Sequence, residues 1–244
     1  GKEAVVNENK LAIEISEKTR QGKFQGKFGA LRFENKHLKL ARQMAKKKTA
    51  AGEKSLEKAY GAASSTYYEA AGNALAHFRM AKWQFWWLFR AVWYLHSKAW
   101  RYSNRMVSLA GRIEFMGNDQ LDIRASIAER CWRYKEAERC VDIAIRRNNL
   151  SDDTRVLLLL HQIRHHLRLG QIGTAGRIFQ EIDQIIAQGE ISKLTLVRTQ
   201  RVWISYQKKS GSRWDEIQLS LAKAEDLAQE ADLYDQVLKI RAGI

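Results

Sequence analysis

The chain of 244 residues carries 42 Lys and Arg against 27 Asp and Glu, a net charge of +15. Its 45% hydrophobic content excludes a disordered polyelectrolyte and supports a folded core. Proline is absent, where average usage of about 5% predicts about a dozen, so long unbroken helices are favoured.

Together with an abundance of Ala, Leu, Gln, Glu, Lys and Arg, this predicts an all-α fold. The charge is unevenly spread. Residues 1–110 hold 21 basic against 8 acidic side chains, whereas 111–244 hold 21 against 19. The composition therefore divides the chain into a basic arm with short helices over 1–55, a long aromatic-rich helical hairpin over 56–117 and helical repeats over 118–244.

Within the arm, "GKFQGKFG" (22–29) sets Lys23/Phe24 and Lys27/Phe28 between three glycines, which predicts an extended loop. Leu31, Leu38, Ala41 and Ala45 then recur at helical spacing, and Lys46, Lys47 and Lys48 follow where cations suit a helix end. Lys23, Lys27 and Lys46–Lys48 are the candidate polyanion contacts.

Next comes "AKWQFWWLFRAVWYLHSKAW" (81–100), with five tryptophans. Through Phe78, Ala81, Phe85, Leu88, Val92, Leu95, Ala99, Tyr102, Met106, Leu109, Ile113 and Met116, apolar residues alternate at intervals of three and four. That is the seam of one long helix over 78–116 packed lengthwise on another. A second stripe, Trp86, Trp93 and Trp100, with Trp87 and Tyr94 at its flank, is expected to be buried as well. The densely apolar part is only about thirteen residues, short of the roughly twenty of a membrane span, and Arg90 interrupts it. The preceding helix, "EKAYGAASSTYYEAAGNALAHF" (57–78), is rich in Ala and Gly, which allows a bulky neighbour to approach closely.

Beyond residue 118 the pattern becomes shorter helices with turn signals between them. Tyr134, Ala137, Val141 and Ala144 recur at helical spacing, and so do Gly170, Ile172, Ala175, Phe179 and Ile182, then Gly211, Trp214, Ile217, Leu221 and Ala224. Each block follows a helix of its own, carrying Leu121/Ala125/Ala128, Leu159/Ile163/His166 and a third around 197–206. The blocks "WRYKEAERCVDIAIRRNN" and "LGQIGTAGRIF" resemble the turn and second helix of the tetratricopeptide repeat family, over roughly residues 119–240. The resemblance implies an α-solenoid of antiparallel helix pairs that binds a protein or peptide in a concave groove. By register it places Asp122, Ser126, Glu129, Arg130, Leu160, Arg164, Arg168 and Tyr206 on that groove. Arg164 and Arg168, four apart on one helix, suit a carboxylate, hence an acidic partner.

Catalytic signatures are missing. There is no phosphate-cradling glycine loop, nucleophile elbow or metalloprotease motif. His161 and His165 lie four apart but among arginines and without a third ligand, so no metal is expected. The two cysteines, Cys131 and Cys140, fit free thiols of a reducing compartment, and no secretory signal stands at the start. These observations lead to a cytoplasmic, non-enzymatic adaptor without cofactor. The runner-up is an RNA- or DNA-binding protein using the lysine-rich arm, and the third reading is a peripheral membrane protein using the aromatic helix.

Overall fold

The computed structural model describes residues 38–39, 41–43, 45–46, 50–80, 86–147 and 149–243, without the side chains of 50–51, 55 and 86–89. All regular structure among them is helical. Lys23, Lys27, Lys47 and Lys48 lie outside the described residues, as does the glycine-rich loop. Leu38 and Ala41 are buried at helical spacing, and Lys46 is exposed in a turn. The chain divides into two compact units, 1–116 with 130–132, and 117–129 with 133–244.

In the first unit, α1 (Ala50–Met80) and α2 (Trp86–Ala110) pack along each other as a hairpin. Val92, Leu95, Ala99, Tyr102 and Met106 are the buried stripe of α2, at the expected three–four spacing. Ala59, Ala63, Ala71 and Ala74 are buried on α1, leaving room for rings. Tyr102 fills it, stacked on Tyr60 with centroids 5.8 Å apart and tilted on Tyr67 at 5.4 Å.

Two expectations are corrected here. The seam is not one helix over 78–116. Phe78 closes α1, and α2 stops at Ala110 because Gly111 turns left-handed (φ +82°); Ile113 and Met116 are buried in and after a 3₁₀ turn, Ile113–Phe115. Nor is the aromatic stripe uniformly core. Trp93 is 72% exposed and Tyr94 52%, because α1 covers only the Val92–Met106 face.

The second unit is a run of helices: α3 (Asn118–Arg130), α4 (Tyr134–Ile145), α5 (Asp152–Arg168), α6 (Ile172–Gln188), α7 (Lys193–Ser210), α8 (Trp214–Glu230) and α9 (Tyr234–Arg241). Local chemistry sets their ends. The Ser151 and Ser192 hydroxyls accept from the Thr154 and Thr195 amides, both at 3.3 Å, so each satisfies one orphan donor of a first turn. Asp152 and Asp153 at one end of α5, and His165, His166 and Arg168 at the other, complement its dipole.

Four turns share one construction. The amides of Arg133, Gln171, Ser212 and Leu233 donate to the carbonyls of Ala128, His166, Gln207 and Ala228 at 2.8–3.0 Å. In each, the residue before the donor is left-handed: Trp132, Gly170, Gly211 and Asp232. The Leu169-Gly170 pair is thus the close of α5, where glycine takes φ +74° without a Cβ penalty.

Packing runs between neighbours, α4 on α5, α5 on α6 and α7, α7 on α8, and α8 on α9. One core joins Val156, Leu160, Ile163, Ala175, Phe179, Ile182 and Val202. A second joins Val197, Ile204, Ile217, Ala224, Ala228, Val237 and Ile240. Ile217 fills the position where a small residue was the pattern elsewhere. No described helix is long and apolar enough to cross a membrane.

Candidate functional site

On α3, Asp122, Ser126 and Glu129 are spaced four and three apart and so share one face. His161 and Arg164 of α5, three apart, meet that face. His161 Nε2 lies 3.0 Å from Asp122 Oδ1, and its Nδ1 2.7 Å from Glu129 Oε1. Arg164 Nε donates to Glu129 Oε2 at 2.9 Å, and the Ser126 hydroxyl sits 3.4 Å from His161 Nε2. The imidazole is 3% exposed.

Burial is the largest single influence on this ring and opposes charge; only the Glu129 carboxylate and the bonds to Asp122 and Glu129 together outweigh it. The Arg164 guanidinium works against the proton, Asp122 works for it, and the net result is a raised pKa. Burial also pushes the two carboxyls upward, but the cations win. Arg164 and His161 hold Glu129 down to about 2, and the bond to His161 holds Asp122 below its ordinary value. His161 is thus held between two carboxylates, with Arg164 Nη2 a further 2.8 Å from its Nδ1. Both ring nitrogens are engaged within this network and the ring is buried, so it is not open to a substrate.

Beside this clamp opens a cleft of about 240 Å³. Tyr134, Ala137, Glu138, Val141 and Asp142 of α4 line one wall; His161, Gln162, His165, His166 and Arg168 of α5 line the other, with Glu129 at its end. The Arg168 guanidinium lies over the Tyr134 ring, its central carbon 3.5 Å from the ring centroid. His165 Nδ1 lies 2.6 Å from Glu138 Oε1, and Arg168 is 3.7 Å from the same oxygen. The floor is apolar, from Ala137 and Val141, and the rim is charged with both signs.

The residues named by register are distributed as follows. Asp122, Ser126, Glu129 and Arg164 do come together, but as an internal network, and Asp122 is buried. Arg164 is tied to Glu129, and Arg168, on the cleft rim, is itself engaged by Glu138 and Tyr134, so neither of the two arginines stands free. Leu160 is 1% exposed in the core and cannot touch a partner. Tyr206 packs half-buried against Phe179 and Trp203, with centroids 5.4 and 5.2 Å away, and is a packing residue. Arg130 is exposed and groups with the first unit. His161 and His165 turn to different carboxylates, and no group of three His, Cys, Asp or Glu among the described residues is placed to hold a metal ion.

Sequence reasoning missed the hub, His161, and the α4 wall, Tyr134, Glu138 and Asp142. The spacing of Tyr134, Glu138 and Asp142, four apart on one helix face, was the available signal. The chain matches no protein-family model, no curated protein and no solved structure.

Proposed function

We propose that this protein is a non-enzymatic adaptor. In this reading, residues 118–244 form a tetratricopeptide-like α-solenoid of helix pairs, and a peptide segment of a protein partner lies in the cleft between α4 and α5. The observation that carries it is the cleft itself, with its apolar floor at Ala137 and Val141 and a rim of Glu138, Asp142, Gln162 and Arg168. Such a lining suits a segment that buries one apolar side chain and offers polar groups of both signs to the rim. It suits a purely acidic peptide less well, because Arg164 is already neutralised by Glu129. The full engagement of His161 supports a binding role over acid–base chemistry. The basic amino-terminal region, with Lys23, Lys27 and Lys46–Lys48, docks in this picture on an anionic surface of the assembly.

A peptide-display selection against the full chain tests the reading. Selected peptides should lose at least tenfold in affinity to Gln162→Trp and to Asp142→Arg, with melting temperature unchanged. Gln218→Trp, on the exposed side of α8, should leave them untouched. Binders indifferent to both cleft variants would place the partner site elsewhere and remove the proposal.

A further inference from the structure

The outer face of α2 is built unlike any other surface among the described helices. Exposed positions Arg90, Trp93, Tyr94 and Arg101 follow one another at helical spacing along the side turned away from α1, and Arg105 stands exposed at its edge, its guanidinium 6.0 Å from the centre of the Tyr60 ring of α1. Lys98 joins them, its ammonium 5.4 Å from the centre of the Tyr94 ring. The helix contains no Asp or Glu, and among the described residues none of its four cations is ion-paired. A row of cations without counter-charge repels itself at low ionic strength, so the face is complementary to a polyanion.

We propose that this face binds single-stranded nucleic acid, with Arg90, Lys98, Arg101 and Arg105 on the phosphates and Trp93 stacking on a base. The cations span residues 90–105, about 22 Å of helix axis, enough to follow several consecutive phosphates. Trp93, at 72% exposure, presents an open π-face beside that row, while Tyr94 already carries Lys98. Ser97 and Asn104 run through the same face between the cations, and Ser108 follows beyond Arg105. Hydroxyl and amide groups there suit phosphate oxygens and are out of place on a surface that enters hydrocarbon. The face therefore favours a nucleic-acid strand over a lipid interface. The proposed contacts include none of the arm lysines and none of the residues lining the α4–α5 cleft.

The test is fluorescence anisotropy of the full chain with a fluorescein-labelled 20-nucleotide oligo(U), titrated across salt. Arg101→Glu/Arg105→Glu should weaken binding at least tenfold and flatten the log–log salt dependence by about 1.4, at roughly 0.7 per single-strand phosphate. Trp93→Ala should weaken binding about tenfold with the salt slope unchanged, since a stacked base releases no counterion. Trp93→Phe should restore much of the loss. Both effects should persist when Lys23, Lys27 and Lys46–Lys48 are replaced by Glu. Wild-type affinity in the α2 variants overturns the proposal, as does an effect that disappears with the arm lysines. Cosedimentation with phosphatidylserine vesicles that depends on Trp93 and Arg101, while oligo(U) binding does not, overturns it in favour of a membrane surface.

Discussion

His161 is the one side chain on which three others depend. Asp122 and Glu129 share this partner, and removing it leaves the buried Asp122 carboxylate without the ring while Glu129 keeps Arg164 alone. His161→Ala should cost roughly 3–5 kcal/mol, the usual penalty for breaking a buried charged group, read by urea unfolding. The pH profile has two limbs with opposite signs. Because the His161 pKa is raised on folding, its contribution is full below about 6.5 and is lost as pH rises through the folded value. Because Glu129 is depressed to about 2, its contribution is present above about 4.5 and is lost as pH falls toward 2. Melting temperature should fall on both sides, and His161→Ala should abolish the alkaline limb and shrink the acid one, since the same ring helps hold Glu129 and Asp122 down. Trp132 offers a test in the other direction. It is 82% exposed and left-handed at φ +57°, a conformation that disfavours a Cβ. Trp132→Gly should raise stability by about 0.5–1 kcal/mol, checked by the same unfolding titration.

At the level of elements, α2 has one face that packs and one that does not. Leu95 is fully buried against α1, so Leu95→Ala should cost roughly 2–5 kcal/mol, whereas Trp93→Ala should fall within about 0.5 kcal/mol of wild type. Paired denaturation curves decide this. The same contrast explains what the sequence could and could not disclose. The three–four spacing of Val92, Leu95, Ala99, Tyr102 and Met106 identified the packing stripe, because burial demands that period. Trp93 is as apolar as its neighbours, and no pattern within α2 reveals how wide a strip α1 covers. Likewise Ala137/Val141 and Ala175/Phe179/Ile182 marked the inner faces of α4 and α6. The clamp was half legible: Asp122, Glu129 and Arg164 share a register, but their hub lies 32 and 39 residues from its partners, a separation no local spacing encodes. The break at Ala110 turned on the backbone of Gly111, which the unbroken apolar run concealed.

Across the molecule, the uneven charge now has an address beyond the arm, since four of the first 110 residues' cations stand on one face of α2. In the second unit, stability is handed from neighbour to neighbour. Removing residues 234–244 takes Val237 and Ile240 from the second core, so exchange protection should fall in α7 and α8 and persist in α5 and α6, as hydrogen-exchange mass spectrometry would register. The four left-handed turns bear on how the chain is made. Each is closed by a hydrogen bond between residues five apart, so no distant segment is needed to complete it. These turns can therefore close in order as they leave the ribosome, before the carboxy-terminal helices have been synthesised. The clamp behaves differently: Asp122 and Glu129 wait for His161, and during synthesis that interval is the one in which the carboxylates of α3 stay hydrated instead of paired.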